Sequence, residues 1–256
     1  MKRAGYYSAF ALAAYLLFVV IQLPAAQLHD LLDGDENLPA RLYQISGTVW
    51  EGKATAVDIG VNRLEDVRWN LRPWALLLGR LEARIDFAKG KGRISALAGR
   101  TFAGSVYLRE LRGKLPLSDL ESFISKTPMG LSGSLDIAMT DLTFADHLIE
   151  SVNGTLRIVG AGVGPPVNTS IGNFTMDLET GDEGIRGVLR DAGGPLQAEG
   201  LLLLEADGNY KFTMELSLRD PTRNDLRNAL RFIGTPSADG KVSLVQTGKI
   251  DLEGLL

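Results

Sequence analysis

Residues able to do chemistry are scarce in this chain. It holds two histidines, His29 and His147, far apart in sequence, and no cysteine. Thiol nucleophiles, disulfides, iron–sulfur clusters and thiolate zinc sites are therefore excluded, and a histidine-based metal site has too few ligands. His29 stands among acidic residues, and His147 follows Phe144–Ala145–Asp146. Neither supplies a recognisable nucleophile, base and orienting group. Carboxylates are plentiful, but a glycosidase pair requires two acids flanking one bond at a separation that sequence does not supply. Gly160–Ala161–Gly162–Val163–Gly164 is rich in glycine, yet its spacing and the prolines after it read as a turn, not a phosphate cradle. Asn-x-Ser/Thr triplets at Asn153, Asn168 and Asn173 are short enough to arise by chance. No catalytic, cofactor-binding or metal-ligating residue is nominated, and the chain is read as a non-enzyme without a cofactor.

What must be positioned, then, is a surface. The chain has 256 residues, 45% hydrophobic and 23% charged, enough for a sizeable core and too apolar for a disordered segment. Its net charge of −4 leaves no excess of cations to displace counterions from phosphates, so nucleic acid is excluded as a partner.

Lys2 and Arg3 precede 4–23, a run without one charged residue. As a helix this run would span roughly 30 Å, the hydrocarbon thickness of a bilayer. Pro24 would end it, and the basic residues in front place the amino terminus in the cytoplasm. A cleaved signal peptide is the competing reading, but cleavage after Ala26 would put Pro24 at a poor position, and the apolar core is long. A buried core helix is the third. The expected organisation is a transmembrane anchor at 1–26, an acidic tether at 27–40 with one helical turn near 28–32, and a β-rich periplasmic domain at 41–256. A subdivision, if present, falls near 160–170.

Beyond the tether, apolar residues recur every second position between glycines, the habit of short antiparallel strands. Strands are expected over 54–61, with a bulge, and over 81–87, where Leu81, Ala83, Ile85 and Phe87 alternate with Glu82, Arg84 and Asp86. A turn at 89–92 leads to a strand from Arg93. A hairpin is expected over 201–218 around Asp207–Gly208, and a further strand over 241–247. Stretches 160–166 and 181–187 read as turns. Four elements share an apolar, small, Gly, Ser/Thr, apolar pattern centred on Gly47, Gly104, Gly133 and Gly154. Glycine within a strand marks a bulge or bend, so a long, strongly curved antiparallel sheet is expected. The best helix lies over 220–234, capped by Asp220 with Pro221 in its first turn. Leu226, Ala229, Leu230 and Ile233 form its apolar stripe, and Arg223, Arg227 and Arg231 its back. Shorter helical turns are expected at 73–78 and 117–124.

Trp50, Trp69 and Trp74 concentrate in one stretch. They can pack beside glycines while Pro73 starts a covering turn, form a docking surface for another envelope protein, or contact lipid. Around them the sequence reads Gly47–Thr48–Val49–Trp50–Glu51–Gly52, then Trp69–Asn70–Leu71–Arg72–Pro73, then Leu77–Leu78–Gly79–Arg80–Leu81. Together with the amino-terminal apolar run, this order resembles the protein N family of the bacterial type II secretion system. That family shows Gly-Thr-Leu/Val-Trp-x-Gly, then Trp-x-Leu-x-Pro and Leu-x-Gly-x-Leu. The Pro73–Trp74 pair departs in detail but keeps the order. Leu115–Pro116–Leu117, Asp207–Gly208–Asn209–Tyr210, Leu230–Arg231–Phe232–Ile233–Gly234 and Asp239–Gly240–Lys241 extend the likeness. The resemblance implies a single-pass inner-membrane, periplasm-facing accessory component that partners other secretion proteins and has no enzymatic activity. Its motif or docking residues would be Gly47, Thr48, Trp50, Gly52, Trp69, Leu71, Pro73, Trp74, Gly79 and Leu81. The exported part also resembles the curved sheets of AsmA-like envelope proteins, which keeps a lipid-binding or lipid-transfer module as the alternative.

Overall fold

The computed structural model describes residues 22–27, 40–59, 62–121, 130–145, 147–165 and 168–250, together with 7, 15, 18 and 19. The expected anchor and tether lie outside these residues apart from 22–27 and the isolated positions. Among the described residues no helix is long and apolar enough to cross a membrane.

The chain divides into two compact units, 1–88 and 89–256. In the first, β1 (Ala40–Tyr43), β2 (Ser46–Gly47), β3 (Glu51–Ile59), β4 (Asn62–Leu71) and β5 (Arg80–Lys89) pair antiparallel, with β1 and β2 both on β3. In the second, each strand pairs antiparallel with the next in chain order: β6 (Gly92–Thr101), β7 (Val106–Pro116), β8 (Ser132–Ala145), β9 (Leu148–Val163), β10 (Thr169–Gly181), β11 (Gly184–Asp191), β12 (Leu196–Leu204), β13 (Asn209–Leu218) and β14 (Val242–Lys249). The helical elements whose bounds are described are short: α1 (Pro73–Leu76), a 3-10 turn (Leu117–Leu120) and α2 (Asn224–Ile233). The expectation of a mainly β, antiparallel chain with a few covering helices holds; most strands follow one another through turns of a few residues, too short for a parallel crossover, and the longer β7–β8 and β13–β14 connections carry the 3-10 turn and α2.

Three apolar clusters carry the packing. Ala54, Val57 and Val67 form the first, with Ile85 and Phe87 against them. Met139, Val152, Ile185 and Leu204 form the second. Leu196, Ala198, Leu216, Leu230 and Val242 form the third. Leu226 and Leu230 of α2 are buried, so the helix covers the β13 and β14 end of its unit with these two residues of the expected stripe. In β13 the exposed Lys211 and Glu215 alternate with the half-buried Phe212 and Met214 and the buried Leu216, as their spacing requires.

Several local expectations are corrected. The helix starts at Asn224, four residues after Asp220, which does not cap it. The Asp220 carboxylate instead accepts the Thr222 backbone N–H at 2.9 Å and the Thr222 hydroxyl at 2.7 Å. That local turn competes with helix entry, so Pro221 stays outside. The bulge expected in β3 falls on β4, where the β4–β5 register shifts between Glu65 and Arg68 and Asp66 adopts φ +47°. Of the four patterned glycines, Gly133 and Gly154 sit inside strands beside register shifts. Gly133 has φ +104°, and a Cβ there would stand 2.6 Å from the Gly160 carbonyl oxygen, so only glycine fits. Gly104 lies instead in the β6–β7 turn, and Gly47 ends β2 at a hairpin. Residues 160–163 run within β9, and the turn to β10 begins at Gly164. The second turn narrows to Asp182–Glu183. The 122–124 end of the expected helical turn lies outside the described residues.

Candidate functional site

The motif residues converge on the β2–β3 hairpin and on the connection from β4 to β5. Thr48 closes the hairpin. Its backbone N–H donates to the Glu51 carbonyl at 2.8 Å, and its hydroxyl oxygen accepts the Glu51 N–H at 3.1 Å. Gly47, at φ +93°, lets the strand enter this turn, since a Cβ would lie 2.5 Å from the Glu51 carbonyl oxygen. Gly52 faces Trp69 across the β3–β4 pair. The Trp69 ring fills the space where a Gly52 side chain would be, with Cζ2 at 2.4 Å from the ideal Cβ. Its Nε1–H donates to the Val49 carbonyl at 3.0 Å. Glycine at 52 and tryptophan at 69 are therefore one device that locks the hairpin onto β4.

Two backbone bonds extend this lock in opposite directions. The Val49 N–H donates to the Leu23 carbonyl at 2.9 Å, and Pro24 bridges Thr48, so the end of the apolar run is seated on the hairpin. The Leu71 N–H donates to the Trp50 carbonyl at 2.6 Å, fixing the end of β4. Arg72 then holds the β4–β5 connection. Its N–H donates to the Glu82 carbonyl at 2.8 Å, and its guanidinium donates to the Glu82 carboxylate at 2.9 Å. Glu82 is only 4% exposed, whereas Leu81 is 48% exposed, which reverses the expected faces at the start of β5. The register contributes: Leu71 pairs with Ala83, so Leu81 lies past the end of β4. Arg72, by contrast, neutralises Glu82.

Pro73 opens α1 as expected, and Gly79, at φ +71°, closes the turn by donating its N–H to the Leu76 carbonyl at 3.1 Å. Ala75 is fully buried beneath it. The three tryptophans thus divide. Trp69 and Trp50 are both half-buried, with Trp69 packed against the first apolar cluster, and Trp74 is 55% exposed with the Arg72 guanidinium carbon 5.8 Å from its ring centre. Beside Trp69 lies an open cleft of about 570 Å³ whose lining includes Lys53, Arg68, Asn70, Arg84 and Asp86.

This arrangement is a scaffolded surface. Among the described residues no group of three histidine, aspartate or glutamate side chains could hold a metal ion. His147 is exposed in the β8–β9 turn at φ +64°, and His29 lies outside the described residues. Asn153 and Asn173 are tied to backbone: Asn153 accepts the Thr180 N–H at 3.3 Å, and Asn173 accepts the Gly160 N–H at 2.7 Å.

The order of these elements along the chain has a counterpart. Residues 39–245 match the model of a family described as type II secretion system (T2SS), protein N. The chain belongs to that family. The type II secretion system protein N of Aeromonas hydrophila is 24% identical over 254 residues, covering 98% of this chain and 100% of that protein. The protein of the same description from Vibrio cholerae serotype O1 is 25% identical over 256 residues, with 98% and 100% covered. No solved structure matches the chain.

One polar cluster escaped the sequence reading. Arg223 clasps Asp225 with two bonds of 2.9 and 2.7 Å, and the buried Thr169 donates to Asp225 at 2.9 Å while accepting from Arg223 at 3.0 Å. The Arg223 hydrogen bonds hold the Asp225 carboxyl well below the usual carboxylate range, against partial desolvation and with help from Thr169. The cluster pins the start of α2 to β10. Residues 169 and 223–225 are too far apart in sequence for any local signal to join them.

Proposed function

We propose that this chain is a non-enzymatic accessory component of the bacterial type II secretion machinery. It is held in the inner membrane by 4–23, with its amino terminus in the cytoplasm and its β-rich part in the periplasm. There it serves as an interaction module for other secretion components. The carrying observation is the family match over 39–245, whose motif residues meet at one structural locus. The uncharged run behind Lys2 and Arg3 supports the orientation. The polar cleft beside Trp69, with both signs of charge on its walls, suits a protein surface better than a small apolar ligand.

Two measurements test this reading. Alkaline phosphatase fused after Leu256 is expected to be active in cells, and an inactive fusion would place the β-rich part on the wrong side. A photo-crosslinking residue in place of the exposed cleft residue Asn70 is expected to capture another secretion component in membranes. Capture of lipid alone would favour the AsmA-like alternative.

A further inference from the structure

The turn between β4 and β5 presents a run of exposed apolar side chains. From Pro73 to Gly79 there is no charged residue. Trp74, Leu76, Leu77, Leu78 and Leu81 are all exposed, and Leu77 at the apex is 89% exposed. Large apolar side chains scattered singly over a surface need no explanation, but five within eight positions do. The turn is also rigid in its footing: Ala75 is buried, Arg72 is clamped to Glu82, and Gly79 closes the last bond. It is built to hold these side chains outward.

Its position names the occupant. Leu23, the last residue of the uncharged run, accepts from Val49, and the neighbouring Trp50 accepts from Leu71, two residues before Pro73. Two strand-type hydrogen bonds and one peptide step place Leu23 and Leu71 within about 15 Å of each other. The point where the apolar run ends and the point where the greasy turn begins are therefore neighbours on one unit. A tryptophan flanked by leucines, at the level where a chain leaves a bilayer, matches the interfacial belt, where an indole sits among headgroups and leucine reaches the acyl boundary.

We propose that the 73–81 turn is a second membrane contact, with Trp74, Leu77 and Leu78 inserted into the interface of the same bilayer that takes 4–23. The inference rests on the reading of 4–23 as the anchor. It assigns the turn to lipid and leaves the polar cleft for protein partners. Two attachments fix the orientation of the unit against the membrane, where a single span would leave it free to swivel.

The absence of cysteine makes the test direct. Full-length Leu77→Cys and Val245→Cys chains, each carrying an environment-sensitive fluorophore, are reconstituted in vesicles of phosphatidylethanolamine and phosphatidylglycerol. Both positions are exposed, so neither substitution threatens the fold. The label at 77 is expected to be quenched by shallow brominated lipid and to show several-fold weaker quenching by aqueous iodide than the label at 245. In the unlabelled chain, brominated lipid should quench part of the tryptophan emission, and Trp74→Phe should abolish that part. Equal iodide quenching at both positions overturns the proposal, and so does shielding at 77 from both quenchers, which would mean a protein cover. Alkaline carbonate extraction separates the two readings: release of the chain refutes the anchor, whereas retention with an iodide-accessible label refutes only the second contact.

Discussion

The Trp69 indole occupies the place of a missing side chain at Gly52 and donates its Nε1–H to the carbonyl of Val49. One ring thereby holds three things in register: the β3–β4 pair, the β2–β3 hairpin and, through Val49, the residue that ends the apolar run. Gly52→Ala is expected to destabilise the fold by about 1–3 kcal/mol, because the new methyl meets a rigid ring and the Ser46 carbonyl at 2.9 Å. Trp69→Leu in the same chain should recover part of that loss, since the two changes share one space. Urea midpoints of the single and double variants measure both effects. Strict additivity would mean that the two residues do not contend for the same volume.

Arg72 and Glu82 make the second relationship that sequence alternation misjudged. Removing the guanidinium takes the Arg72 charge away from a carboxylate only 4% exposed, so Arg72→Ala is expected to be destabilising, by up to about 3 kcal/mol. Arg72→Met combined with Glu82→Met should restore most of that stability, because the buried charge disappears with its partner. Thermal unfolding of the three proteins checks this. A double variant no better than Arg72→Ala would show that the pair acts through geometry and not charge.

The Thr169–Arg223–Asp225 cluster makes part of the stability depend on pH. The Asp225 carboxyl is depressed in the folded chain, so its contribution is fully present above the unfolded value near 4 and fades as pH falls toward the folded value. Asp225→Asn is expected to melt below the wild type at neutral pH, with the gap steady down to about pH 5 and narrowing below about pH 4, where the unfolded chain takes up the proton first. Melting curves from pH 7 down to about 3 display the convergence. A gap constant over that range would mean that Asp225 acts only as a neutral hydrogen-bond partner.

Much of the architecture is written in local pattern. Alternation in 81–89 and 209–218 sets strands because side chains on a strand point to opposite faces, and a hairpin follows wherever two such runs flank a short turn. Asp207–Gly208 and Pro73 announce a turn and a helix start through backbone preferences that need no tertiary contact. The misreadings share a different cause. Asp220 had a choice between capping a helix and bonding Thr222, two local options of similar strength, and packing of Leu226 and Leu230 fixed where the helix begins. Leu81 alternated correctly but ran past the end of its partner strand, which only the register with Leu71 reveals. Gly104 shared its pattern with Gly133, yet one is a turn and the other a bulge, because the same φ serves both.

By itself the sequence determined the lack of cysteine and the scarcity of histidine, the uncharged run behind two basic residues and the antiparallel β character. Each of these depends on residue type or on spacing within one element, which a linear chain records in full. Only the tertiary structure decided that Trp69 packs half-buried against Gly52 while Trp74 faces outward, that Arg72 pairs with Glu82, and that Thr169 meets Asp225. Those outcomes depend on which distant strand supplies a neighbour and where its pairing stops, and residues far apart along the chain acquire such neighbours only when it folds.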